Sequence, residues 1–171
     1  HSQLMAELED GQIIKGETNI DIPQHDGRLK IKRVWLKPQS EINPNAKKAI
    51  LEADLVIIGP GDLYTSLIPN LLVRGVKEAL GKTKAKVAYF INLMTKFGET
   101  NNFSAPDFLN TMKLYLGEGI LDFVVVNNKK PSGQRLSAYV KERSEFVEPD
   151  LGNLPPAKNF MPIATDLLRP G

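Results

Sequence analysis

Asp54-Leu55-Val56-Ile57-Ile58-Gly59-Pro60-Gly61-Asp62-Leu63-Tyr64-Thr65-Ser66 is the stretch that decides the fold. A compact aliphatic run stops at Gly-Pro-Gly and passes into polar residues, as a buried strand does when it turns into a helix. Two later runs repeat the plan. Lys86 to Ile91 is followed by Asn92-Leu93-Met94-Thr95-Lys96-Phe97-Gly98-Glu99-Thr100, and Asp122 to Val126 by Asn127-Asn128-Lys129-Lys130. Helices fill the intervals. Leu71 to Leu80 reads as one, with a weak spot at Arg74-Gly75. Ser104 with Asp107 forms a capping box, Pro106 suits the first turn, and Phe108, Leu109, Met112 and Leu116 share a face. Alternating strands and helices predict βαβ crossovers and a parallel sheet.

Upstream, Asn43-Pro44 reads as the cap and first position of a short helix through Ile50 and Leu51. Before it the period changes to two. Leu4, Ala6 and Leu8 alternate with Met5, Glu7 and Glu9, and Asp10-Gly11 predicts a type I′ hairpin turn into Gln12 to Glu17. A second hairpin is predicted from Ile20 and Ile22, a turn at His25-Asp26-Gly27, and Leu29 to Leu36, stopped by Pro38. Downstream of Lys129 the pattern weakens. Gln134 to Arg143 reads as a helix, Phe146-Val147 and Met161 to Ala164 as strands, and Pro155-Pro156 as a loop. The expected class is α/β: a three-layer, Rossmann-like, mostly parallel sheet with an antiparallel hairpin unit at its N-terminal end. Residues 1–37 form the hairpins, 43–128 the βαβ core and 129–171 a less regular remainder, in one domain.

The 171 residues suffice to bury about 70% of the unfolded surface. There is no cysteine, which excludes disulfides, thiolate metal sites and thiol catalysis. No apolar run approaches the roughly 18 residues of a membrane span, and no signal-peptide pattern is present. The 22 basic and 20 acidic residues leave a net charge of +2, too balanced for nucleic-acid or membrane attraction by bulk field. The two histidines, His1 and His25, have no partner spacing for a triad or a metal site.

In an open parallel sheet, ligands bind beyond the carboxyl ends of the strands. The three polar loops all fall on that edge, and their convergence marks a ligand crevice. Gly59, Pro60 and Gly61 have the character of an anion cradle, since glycine lets backbone approach a ligand. The loop matches neither the dinucleotide fingerprint, because Tyr64 stands where glycine is needed, nor the P-loop. Thr95, Thr100, Asn92 and Glu99 offer hydroxyls, an amide and a carboxylate suited to a base, sugar or phosphate. Asp62 and Glu99 could attend a divalent cation, but their spacing forms no metal motif and no metal ligand set is assigned.

These loops resemble a known family. Glu52 through Val73, including Gly59-Pro60-Gly61-Asp62-Leu63-Tyr64-Thr65-Ser66 and Asn70, looks like the signature of the bacterial gluconeogenesis factor family (the YvcK type). Asn92-Leu93-Met94-Thr95, Gly98-Glu99-Thr100, Asp122 to Asn127, and Met5 to Gly11 with Gly16-Glu17 also match, so the likeness covers about residues 1–128. The family shares a superfamily with the CofD-like 2-phospho-L-lactate transferases, which attach phospholactate to a deazaflavin from a guanylylated donor. The resemblance implies a cytoplasmic, non-catalytic regulator linked to cell shape and growth on gluconeogenic carbon. Its implied partner is a nucleotide sugar such as UDP-N-acetylglucosamine, with at most a divalent cation brought by the nucleotide, no nucleic acid, and a homo-oligomer open as the assembly. It implies a ligand site at Gly59, Pro60, Gly61, Asp62, Tyr64, Thr65, Ser66, Asn70, Asn92, Met94, Thr95, Glu99, Thr100 and Asn127. Two departures stand out. The family's glycine-rich N-terminal unit and closing Arg-His-Asp segment are not in these residues, so the chain reads as a fragment. Asp62 replaces a commoner Ser, and Phe108 stands where a His often follows the Asp, which weakens the transferase reading.

Overall fold

The computed structural model describes residues 1–150, 152 and 160–168. Alternation at Leu4, Ala6 and Leu8 buries those side chains and makes β1 (Gln3–Leu8). It pairs antiparallel with β2 (Ile13–Lys15) and, on its other side, with β3 (Ile31–Lys37). The Asp-Gly hairpin forms, but not as type I′. Leu8 N–H bonds the Gln12 carbonyl at 2.9 Å, and only Gly11 takes a positive φ, of 89°. That is a three-residue loop with glycine in the left-handed place. The second hairpin is not formed. Ile20 and Ile22 alternate, yet Ile20 is buried and Ile22 exposed. Gly16, at φ 91°, redirects the chain into a short helix, α1 (Glu17–Asp21), which closes its own bonds and plugs Ile20 into the core.

Asn43 caps α2 (Pro44–Glu52), its side-chain oxygen accepting from Asn45 N–H at 2.8 Å. Then follow β4 (Leu55–Ile58), a π-helical turn (Leu63–Leu67), α3 (Ile68–Leu71), α4 (Val76–Leu80), β5 (Lys86–Phe90), α5 (Ala105–Leu116), β6 (Phe123–Asn127), α6 (Gly133–Val140) and β7 (Met161–Thr165). The single helix expected over Leu71 to Leu80 is two helices. The first ends at Leu71, and the second starts after Gly75, whose φ is 97° and where a Cβ would fall 2.6 Å from Ile42 Cγ2. Phe146 makes only an isolated bridge to Met94, so the expected Phe146-Val147 strand is absent. The Pro155-Pro156 loop lies outside the described residues.

The parallel sheet has the order β4-β5-β6-β7. Its register rows alternate between faces. Ile58, Tyr89 and Val124 lie in one row and share a hydrophobic cluster with Leu63 and Ile68 of the first crossover and Phe108, Leu109, Met112 and Leu116 of α5. The β1–β3 sheet enters the same cluster through Leu4, Ala6, Leu8 and Val34. Tyr115 of α5 ties it down, its hydroxyl accepting from Val34 N–H at 2.9 Å. The opposite face carries the row Ile57, Ala88, Phe123 and Met161, and there Ile57 is 56% and Met161 55% exposed. Among the described residues no helix is long and apolar enough to cross a membrane.

Candidate functional site

The first two polar loops meet at the carboxyl edge. Gly59 has φ 85°, and a Cβ there would stand 2.9 Å from the Phe90 carbonyl oxygen, so glycine lets the turn after β4 pass close over the end of β5. Asn92, just past β5, donates from its side-chain amide to the Gly61 carbonyl at 2.9 Å. Its amide oxygen is shielded and has no hydrogen-bond partner among the described residues.

Glu99 is the hub. It is 2% exposed, and its carboxylate accepts from the Thr65 hydroxyl at 2.7 Å and from Tyr64 N–H at 2.9 Å. Burial pushes its pKa up to about 7. The two hydrogen bonds and Lys96 oppose that shift, and Asp62 adds to it. The π-helical turn closes on the Asp62 carbonyl, which accepts from Ser66 and Leu67 N–H at 2.9 and 3.0 Å. An internal carboxylate thus takes the Tyr64 N–H that the anion-cradle reading would give to a ligand. The cradle at this turn is filled by the protein itself.

Around Glu99 stand charges that the sequence does not bring together. Lys96 Nζ lies 2.9 Å from an Asp21 oxygen and 3.7 Å from one of Asp62. Burial works against the Lys96 charge, but Asp21 and then Asp62 outweigh it and hold its pKa above the ordinary value. Carboxylate oxygens of Asp21, Asp62 and Glu99 lie within 4.8 Å of one another. The spacing of Asp62 and Glu99 gives no metal motif, yet the fold gathers a third carboxylate beside them, because α1 delivers Asp21. Three carboxylates suit a divalent cation in number. Lys96 already supplies a positive charge there, and a cation would have to displace it.

The remaining predicted residues divide into buried and open. Thr100 accepts from Lys96 N–H at 2.8 Å through its hydroxyl, shaping the loop. Thr95 exchanges bonds with Glu145, its N–H donating at 2.7 Å and its hydroxyl accepting at 2.8 Å. Both threonines are buried. Tyr64 is buried, and burial first, then Tyr115, push its hydroxyl pKa up to about 12. Asn127 is spent within its own region, bonding Lys129 and Leu167. Ser66, Asn70 and Pro60 are exposed, while Gly59, Gly61, Asp62, Asn92 and Met94 are half-buried. Asn70 donates to the Ser66 carbonyl at 2.7 Å. Asp21 is absent from the sequence-predicted set, because its segment reads as a strand far from the three loops. Phe108, in the place of a family His, is core and packs edge-on against Phe103 at 5.5 Å.

A parallel α/β sheet with two interlocked polar loops at its carboxyl edge defines a Rossmann-like class, the kind of sheet that takes ligands at that edge. The particular family follows from comparison with known proteins. The model of 2-phospho-L-lactate transferase CofD matches residues 1–168, and the chain belongs to that family. It is 42% identical over 170 residues to a Thermotoga maritima relative, covering 99% of this chain and 52% of that one. To the gluconeogenesis factor of Bacillus subtilis it is 40% identical over 152 residues, 88% of this chain and 47% of that one. The crystal structure of a UPF0052 family member from Bacillus halodurans superposes with a TM-score of 0.88 at 37% identity, over 96% of this chain and 52% of the other. The chain thus spans about half the length of the relatives it matches.

Proposed function

We propose that this chain is the ligand-bearing half of a gluconeogenesis-factor-type regulator that binds a nucleotide sugar such as UDP-N-acetylglucosamine in the cytoplasm and supports cell shape on gluconeogenic carbon sources. The observation that carries the reading is the interlock of the two loops. Asn92 on Gly61, and Glu99 on Tyr64 and Thr65, fix one polar floor at the carboxyl edge, the place where open α/β sheets take ligands. The relatives named gluconeogenesis factor support the biological setting. Ligand contacts fall to the open groups, Ser66, Asn70, Asp62, Asn92 and Lys96, with Thr65, Thr95, Glu99 and Thr100 beneath them as scaffold. Calorimetry against a panel of nucleotides and nucleotide sugars tests this. Saturable binding of a uridine diphosphate sugar, lost in Asn92→Leu with the fold intact, is the expected result. Absence of binding by both this chain and a full-length relative would sink the proposal.

A second reading has an observation of its own. The Asp21, Asp62 and Glu99 cluster resembles what a metal-assisted phosphotransferase needs. It predicts product from a guanylylated donor and a deazaflavin acceptor with magnesium, lost in Asp62→Asn. The regulator reading predicts none.

A further inference from the structure

A cavity of about 220 Å³ opens between Arg28, the Thr95–Asn102 loop and the Arg143–Glu145 segment. Its walls are fixed from three directions. Asn101 donates to the Gly27 carbonyl at 2.6 Å and accepts from Gly98 N–H at 3.0 Å. Thr95 clamps Glu145 by two bonds, its N–H donating to the Glu145 carbonyl at 2.7 Å and its hydroxyl accepting from Glu145 N–H at 2.8 Å. The Phe97 ring packs so tightly that a Cβ on Gly27 would fall 2.6 Å from it. On that ring stacks the Arg143 guanidinium, 4.8 Å from the centroid.

Two independent features converge here. Among the described residues, the non-glycine residues with positive φ are Asn102 at 59°, Arg143 at 55° and Asp150 at 33°, and the first two line this cavity. A left-handed backbone disfavours an arginine, and such conformations gather at ligand sites. Among the described residues, moreover, Arg143 has no carboxylate partner, and Arg28 pairs only with Asp26, at 2.7 Å. Glu145 is the one acidic lining residue, and Asp26 already holds Arg28 through both carboxylate oxygens, so Arg143 is the lining guanidinium without a carboxylate among the described residues.

We propose that this cavity is a binding site for the oxyanion end of a small molecule, a phosphoryl or carboxylate group, gripped by Arg143, Arg28 and Asn102. The guanidinium fork matches such oxygens, and stacking on Phe97 holds its plane in advance. The volume lies below the roughly 300–1,000 Å³ of pockets that enclose a whole drug-sized ligand. One charged group fits it better than a whole nucleotide. Thr95 forms part of both this wall and the loop that carries Glu99, but the inference stands apart from the nucleotide-sugar reading.

The test is a ¹⁵N NMR titration of the 171-residue chain with inorganic phosphate, and separately with acetate, against chloride at constant ionic strength. Saturable shifts confined to Arg28, residues 95–102 and residues 143–145, at a Kd on the order of millimolar, are expected for at least one anion, and the two arms separate phosphoryl from carboxylate preference. Arg143→Gln should weaken binding about tenfold. Arg143→Gly should do the same while melting no lower than the parent, since glycine accepts the backbone. Lys113→Gln, on α5, should titrate like the parent. Shifts no larger than with chloride, shifts elsewhere, or unchanged binding in both Arg143 variants would overturn the assignment.

Discussion

Glu99 carries the chemistry of the edge in one side chain. Its neighbours favour the carboxylate through two hydrogen bonds, and burial disfavours it more, leaving the pKa near 7 against 4.5 for an ordinary glutamate. A carboxyl whose folded pKa is raised contributes stability that is complete below the unfolded value and lost as pH rises through the folded one. The window is therefore from about 4.5 to about 7. The loss is of the order of 1 kcal/mol for each pH unit in that window. Glu99→Gln keeps an acceptor but cannot ionise, so its urea stability should vary less than the parent's between pH 5 and pH 8. Equal pH dependence in the two proteins would show that Glu99 does not titrate there. At this scale the sequence was informative about residue types and poor about roles. Thr65, Thr95, Thr100 and Glu99 could be chosen as polar loop residues, but nothing in their spacing says that they bond one another beneath the surface. The Asp21–Lys96 pair was invisible, because a contact spanning two elements leaves no periodic trace.

Single glycines decide where these elements end. The strand at Leu55–Ile58 was legible from its aliphatic run, and its stop from Gly59, but the reason for the glycine needed β5: the Phe90 carbonyl occupies the space of a side chain. Gly59→Ala should therefore lower stability by about 1–3 kcal/mol, read as a drop in Tm. A neutral substitution would mean that the turn can move away from β5. Gly75→Ala should destabilise on the same grounds, with φ 97° and Ile42 in the way, and should do so without altering any ligand titration at the carboxyl edge. A change in ligand affinity would show that the α3–α4 break helps set the site. The long, strongly patterned elements, β1, α5 and β6, were readable because burial and propensity agree in them. The errors fell on short ones. Ile20 and Ile22 look like a strand by alternation, yet five residues give a helix no periodic signature, and tertiary burial of Ile20 settles the matter. The π-helical turn was equally unreadable, since its extra residue depends on the Asp62 carbonyl bonding both Ser66 and Leu67.

Among the described residues, one face of the parallel sheet is packed and the other carries exposed apolar side chains at its edges, beside the buried Ala88 and Val125. Leu55, Ile57 and Met161 are each more than half exposed on that second face, and the chain spans about half the length of its relatives. Crevices in doubly wound folds draw walls from both halves of the sheet. The affinity of this chain alone can be bounded. Its open polar groups offer a few hydrogen bonds worth about 1 kcal/mol each at best, and Glu99 already holds Tyr64 N–H. Against them stands an ordering cost of several kcal/mol. The balance is a Kd on the order of millimolar. We therefore expect UDP-N-acetylglucosamine to bind the full-length Bacillus subtilis relative at least about tenfold more tightly than these residues, one decade being about 1.4 kcal/mol. Isothermal titration of both proteins in one buffer measures the difference directly. Tight binding by the longer protein with weak binding here assigns the missing contacts to the other half. Equal affinities would place the entire site on the carboxyl edge of β4 and β5, and the second half would then have to be explained by something other than the ligand.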